Sequence, residues 1–187
     1  QYTHGLHIFE EQISHFGKED ALHFKPFTIL KIIFEDGREE LPNSNLTYQQ
    51  VSDDEMMMLN IHENKDLQEQ VQPVYAWMDQ LNGNKEEGIV IKPVQAFIPN
   101  VPPAFKVRNH HYLTMIYGVD FLQDLEENIH KRKVGRKIQC SINDWMINHK
   151  LLAIPYAEIH IENYLLKNLV YDRIMGERLE GKLDSRL

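Results

Sequence analysis

The sequence predicts an α+β fold: a mixed part carrying short strands, residues 1–118, followed by a helical module, residues 119–187. Three observations carry that expectation. Short β-branched and aromatic runs bounded by turn residues lie before residue 42 and between 87 and 108. Apolar residues recur at helical spacing over 6–16 and 67–81. Beyond Gly118 only helical stripes remain.

Taken in order, Leu6, Phe9, Ile13 and Phe16 predict a short amphipathic helix, and Gly17 stands where its stop belongs. Pro26 bars continuation, and Phe27 to Phe34 reads as a strand rich in Phe and Ile. Asp36-Gly37 turns it into a second strand around Arg38 to Leu41, a hairpin. Over 46–64 the signals conflict: Thr47 offers a cap, yet Asp53-Asp54-Glu55 followed by Met56-Met57-Met58 has no clean period, so the stretch reads as helix or loop. Leu67, Val71, Val74, Tyr75, Met78 and Leu81 restore a helical stripe, started or kinked at Pro73 and ended by Asn82-Gly83-Asn84. The methionines and Trp77 in this region read as core. Pro93, Pro99, Pro102 and Pro103 mark a connection between strands. After Gly118 three stripes follow: Phe121, Leu125 and Ile129; Ile138, Ile142, Trp145 or Met146, and His149; and, within 157–175, Ile161, Leu165, Leu169 and Ile174.

The chemistry concentrates in two strands. Glu87-Gly88-Ile89-Val90-Ile91-Lys92 places a carboxylate and a glycine before a β-branched run and ends on a lysine. Lys106-Val107-Arg108 delivers two more cations, which strand alternation puts on one face, so both can address one anion, best a phosphate. Glu87 and Lys92 have opposite parity. Gly88 offers a way out, because a glycine at the strand entrance permits an irregular backbone that leaves Glu87 on the loop side. Cations would neutralise phosphate oxygens while the carboxylate holds a divalent ion, the equipment of nucleotidyl transfer.

Composition bounds the rest. At 187 residues and 42% hydrophobic, the chain can bury a core and reads as one soluble domain with an appended subdomain. No apolar run approaches the ~20 residues of a spanning helix, and no apolar leader segment opens the sequence. Cys140 is the only cysteine, so an internal disulfide is impossible and a cytoplasmic location is expected. A net charge of -8 argues against a broad electrostatic nucleic-acid binder, so any RNA contact must be local. Lys131-Arg132-Lys133 through Arg136-Lys137 reads first as a solvated helix end and loop, with RNA contact the minority alternative. His110-His111 lacks metal-ligand spacing, and Cys140 sits in an apolar stripe as a buried structural thiol.

At the two strands the resemblance becomes specific. E-G-I-V-I-K resembles motif IV, and K-V-R motif V, of the covalent nucleotidyltransferases, the ligases and capping enzymes. Phe24-Lys25-Pro26-Phe27-Thr28-Ile29-Leu30 is similar to motif IIIa of one branch, the ligase (adenylyltransferase) domain of bacterial polynucleotide kinase-phosphatase, an RNA repair enzyme. Tyr112 to Gly118 and the ending Leu183-Asp184-Ser185-Arg186-Leu187 point the same way, so the resemblance runs from about Phe24 to the last residue. It implies part of an antiparallel-sheet, ATP-grasp-like ligase core with a C-terminal helical module. It also implies lysine attack on ATP, AMP transfer to a 5′-phosphate RNA end, and sealing by a 3′-hydroxyl, with Mg²⁺ or Mn²⁺ as metal. Glu87 would hold that metal; Lys92, Lys106 and Arg108 would bind phosphate; and Phe27 would stack on adenine or serve as core, at even weight. Implied partners are RNA with broken ends, upstream kinase and phosphatase domains, and an RNA 3′-end methyltransferase.

One departure is decisive. The family's nucleophile stands in a K-x-D-G box, and no lysine here precedes that pattern; Lys18 and Lys65 both fail it. Truncation is the simplest account, with motif I expected upstream of Gln1 and the isolated chain inactive. A catalytically silent nucleotide- or partner-binding module, and a relative using GTP or DNA, remain open.

Overall fold

The structure is a computed structural model and describes residues 2–15, 29–46 and 56–176. In chain order its elements are helix α1 (Tyr2–His15), strands β1 (Ile32–Ile33) and β2 (Glu39–Glu40), helices α2 (Leu67–Gln70) and α3 (Gln72–Gly83), strands β3 (Gly88–Ile91) and β4 (Phe105–Arg108), and helices α4 (His110–Tyr117), α5 (Leu125–Lys131), α6 (Val134–Ala153) and α7 (Tyr164–Gly176). Mixed helix with small two-stranded antiparallel sheets is therefore the observed class. Two compact units form, each from separated segments: Gln1–Lys25, Gln50–Ile91 and Lys106–Lys131 in one, Pro26–Gln49, Lys92–Phe105 and Arg132–Leu187 in the other. Among the described residues no helix is long and apolar enough to cross a membrane.

In the first unit α1 packs on α4. The packed side of α1 carries Ile8, 5% exposed, and Gly5, where an added Cβ would lie 1.8 Å from Val119 Cγ1. The stripe expected to face inward is thereby corrected: Leu6 and Phe9 are exposed, because close helix approach selects the small residue and rotates the contact around it. Phe16, Gly17 and the Ile13 side chain lie outside the described residues. Residues 56–66 form no helix, and Met57 and Met58 are exposed instead of core, since no helical stripe gathers them. Thr47 and Asp53 to Glu55 lie outside the described residues. Asp66 caps α2 by accepting from the Gln68 N–H, and the expected break at Pro73 is real: Pro73 sits in the first turn of α3.

β3 pairs with β4. The N–H of Asn109, just after β4, donates to the carbonyl of Glu87, just before β3, at 3.0 Å, so the strands run antiparallel. Buried Ile89 anchors the pair, and α3 packs on β3. Helix begins earlier than expected, at His110, because Asn109 caps α4 through its side chain. Gly118, φ +96°, ends α4, and Phe121 is buried in the following turn, its ring stacked on Tyr117 at 4.3 Å.

In the second unit the hairpin forms with Ile32 opposite Glu40 and Ile33 opposite Glu39, closed at Gly37, φ +84°. The strand expected over 27–34 contracts to two residues, with Phe27 and Thr28 outside the described residues. Lys31 explains part of this. It leaves the ladder to ion-pair with Glu39 and to donate to the Ile154 carbonyl at 2.7 Å, while Glu39 accepts the Tyr156 N–H at 2.6 Å. Lys31 first, then that N–H, hold the Glu39 carboxyl below its ordinary pKa. Asn45 and Ala96 donate backbone bonds to Val94 and Asn43, tying the proline-rich connection to 43–45. Helices α6 and α7 pack together around buried Ile142 and Leu169. The stripe expected from 157 starts only at Tyr164: Pro155 and a 3₁₀ turn intervene, and Asn163 accepts the Leu166 N–H. Cys140 is half-buried.

Candidate functional site

The site stands where β3 and β4 begin and end together. Gly88 has φ +137°, and a Cβ there would lie 2.1 Å from the Val107 carbonyl oxygen and 3.0 Å from the Arg108 Cα. Only glycine fits, so the irregular entrance expected at Gly88 is present. It leaves Glu87 off the strand and brings its carboxylate to the Arg108 guanidinium, with which it forms an ion pair. The Glu87 side chain is 49% exposed and that of Arg108 22%.

Arg108 is held from a second side. Its guanidinium carbon stands 4.6 Å from the centre of the Tyr112 ring. Asn109 joins the pieces: 4% exposed, it donates its N–H to Glu87 and accepts the Tyr112 N–H on Oδ1 at 2.8 Å, while its buried Nδ2 has no hydrogen-bond partner among the described residues. Lys106 occupies the same strand two residues before Arg108, on the same face by alternation. It is exposed, and among the described residues its amine makes no ion pair. Thus the structure brings Glu87 and Arg108 together, with Lys106 two residues before Arg108 on the same strand. Lys92 is exposed one residue past β3 and begins a segment of the second unit. Phe27 lies outside the described residues.

Sequence reasoning missed Tyr112 and Asn109. The signal for both was local: an Asn directly after a strand and before an apolar i, i+3, i+4 run is a helix cap, and the cap sets which ring sits beside Arg108. His110 and His111 contact edge-on at 4.3 Å. Burial first, then His110, lowers the His111 pKa, with Glu11 opposing and His4 and Lys85 adding to the depression.

Among the described residues no group of three or more His, Cys, Asp or Glu side chains is placed to hold a metal ion. A half-exposed single carboxylate does fit a divalent cation that arrives with a nucleotide, since Mg²⁺ is commonly held by one or two carboxylates plus substrate phosphates and water. Two cations on one strand face fit the phosphates. In the second unit, a cavity of about 40 Å³ lined by Leu30, Pro42, Phe97, Trp145 and His149 has room for a few waters at ~10–15 Å³ each and not for a nucleobase. Its Phe97 and His149 rings stack at 3.6 Å, and burial lowers the His149 pKa.

A carboxylate paired with an arginine, beside a second cation on the same strand of a glycine-opened ribbon, is a charge arrangement that would suit a phosphate-handling domain. The comparisons say which kind. The family described as PNKP adenylyltransferase domain, ligase domain, matches residues 16–157, and the chain belongs to that family. Two solved structures, one of a Pnkp1/Rnl/Hen1 complex and one of the Pnkp1/Rnl/Hen1 RNA repair complex, contain chains 53% identical to this one, with TM-scores of 0.85 and 0.84 over 100% of its length. The chain spans 47% of each of those chains. Comparison with curated proteins gave no match.

Proposed function

We propose that this chain is part of an ATP-dependent RNA ligase that seals 5′-phosphate and 3′-hydroxyl ends during RNA repair, its strands belonging to a nucleotidyltransferase core. The observation that supports this reading is the Glu87–Arg108 ion pair beside Lys106 in a chain of the PNKP ligase family. On phosphate binding, Arg108 exchanges the carboxylate for a phosphoryl oxygen and keeps its place over Tyr112, while Lys106 neutralises a neighbouring oxygen. Glu87, released, would be the residue that holds the divalent ion. Bound Mg²⁺ or Mn²⁺ supplies charge neutralisation across the phosphates. The ion pair is a readily reversed latch, since partly exposed pairs are worth about 0–1 kcal/mol. Lys92 is proposed as a further phosphate-binding cation and Phe27 as an adenine-stacking ring, both on the family resemblance.

The structural neighbours come from a Pnkp1/Rnl/Hen1 RNA repair complex. We extend that company to this chain: broken RNA as substrate, kinase and phosphatase domains in the same protein, a methyltransferase acting on the RNA 3′ end, and a cytoplasmic setting. A second reading, a silent module of the same fold, is the alternative to truncation as an account of the missing K-x-D-G. Label transfer from radioactive ATP to the protein in its full natural length separates the two. Lys106→Ala and Lys92→Ala should each lower adduct formation by on the order of 10²-fold, the usual loss when one preorganised charge-stabilising group is removed. A Lys106→Ala protein that labels at the normal rate defeats the phosphate assignment, and a wild-type protein that never labels supports the silent module.

A further inference from the structure

The cations at the head of α6 have no part in the site above. Residues 131–137 carry Lys131, Arg132, Lys133, Arg136 and Lys137 without one acidic residue, in a chain whose net charge is -8. Such a concentration is not a by-product of general basicity. It also opposes helix stability: α6 has no acidic residue in its first turn, and cations there face the positive end of the helix and one another. The first carboxylate along α6 is Asp144, which is committed to Arg173 at 3.4 Å.

The backbone presents these charges from a defined support. Lys133 has φ +51° as the residue before α6, and its carbonyl accepts the N–H groups of Arg136 at 2.9 Å and Lys137 at 3.3 Å. The side chains thus project from the end of a 20-residue helix. Lys133 and Arg136 are exposed, and among the described residues neither makes an ion pair. Arg132 and Lys137 are half-buried and engaged with neighbours. No aromatic side chain interrupts 131–137, so the surface offers charge and no base-stacking platform.

We propose that the turn bearing Arg132, Lys133, Arg136 and Lys137 is a contact surface for the phosphate backbone of single-stranded RNA, read by charge and independent of base sequence. This rests on the RNA-ligase reading for its choice of polyanion. Lys133 and Arg136 supply the exchangeable contacts, and the engaged pair adds to the local potential.

The test uses the full-length protein and a fluorescein-labelled single-stranded RNA, with affinity followed by anisotropy across a potassium chloride series. Lys133→Gly combined with Arg136→Gln removes two cations, and glycine accepts the positive φ at 133, so the variant should melt no lower than the wild type. At ~0.7 per phosphate contact for single strands, the slope of log K against log salt should fall by about 1.4, which at ~0.1 M salt is roughly a 25-fold loss of affinity. AMP labelling of the variant without RNA should match the wild type. An unchanged slope overturns the proposal, including the case in which the variant loses binding to polyglutamate instead, which would mark an acidic protein partner. A reduced slope supports it even if neither protein labels with AMP, and in that case only the ligase reading fails.

Discussion

Gly88→Ala tests whether the site depends on the glycine-opened ribbon. Two penalties add. Holding a non-glycine residue at positive φ costs ~1–2 kcal/mol, and the new methyl, 2.1 Å from the Val107 carbonyl oxygen, forces β3 and β4 apart at an overpacking cost of ~1–3 kcal/mol. The sum, about 2–5 kcal/mol, is a large share of the ~5–15 kcal/mol that holds a typical domain. With a urea dependence of ~1–3 kcal/mol/M, a loss near 3 kcal/mol lowers the unfolding midpoint by about 1–3 M. Gly83→Ala is the matched control: it lies at the end of α3 with no atom of the described residues within 4 Å of its added Cβ, so it should be neutral or stabilising by up to ~1 kcal/mol. Urea unfolding followed by tryptophan fluorescence reads both variants. Should Gly88→Ala unfold at the wild-type midpoint, the ribbon geometry and the argument that it aims Glu87 at Arg108 are wrong together.

Further outcomes concern charge. Glu87→Ala should barely change stability, because a half-exposed ion pair contributes at most about 1 kcal/mol. It should nevertheless abolish most AMP labelling, and excess Mn²⁺ should restore part of that labelling while restoring none in Lys106→Ala; equal rescue of both removes Glu87 from the metal's ligands. Arg108→Lys keeps the charge while losing the two-pronged fork and the contact over Tyr112, so it should label more slowly than wild type but faster than Lys106→Ala, and the reverse order contradicts the assigned roles. His149 supplies a pH test. Its pKa is lowered by burial, so between the ordinary value near 6.5 and its folded value the unfolded chain binds the proton first, and stability falls as pH drops through that window. His149→Phe should flatten this part of the pH dependence in urea midpoints; an unaltered acid slope assigns the loss to other groups.

The sequence exposed features whose cause is local. A β-branched run between a glycine and a lysine became β3, Asp36-Gly37 became the hairpin turn, and Pro73 broke the 67–81 stripe. Features that depend on a distant partner stayed hidden. Leu6 and Phe9 look like a core stripe until α4 approaches Gly5 and turns that face to solvent. Lys31 reads as one more strand residue, yet its amine is claimed by a carbonyl 123 positions away. At the site, alternation placed Lys106 and Arg108 on one face, and Gly88 freed Glu87. The ion pair between residues 21 apart, and the Tyr112 ring set by the Asn109 cap, required the strands to be paired first.

The pairing of Glu87 with Arg108 follows from the site's own electrostatics. Lys106 and Arg108 stand two residues apart on one face, about 6.6 Å at the ~3.3 Å rise of a strand. Their mutual repulsion is then roughly 0.6–2.5 kcal/mol across effective dielectrics of ~80 to ~20. Without a bound anion, that repulsion opposes the ribbon. Glu87, delivered by the Gly88 bend, offsets it by pairing with Arg108. On the proposed reading, an incoming phosphate would bring more charge than one carboxylate and reach both cations, so it would displace Glu87 on charge alone. The displaced carboxylate would then stand near the phosphate, and Glu87 would be the residue to hold a divalent cation whose charge offsets the new repulsion. On the proposed reading, phosphate binding and metal recruitment at this ribbon would be one coupled event.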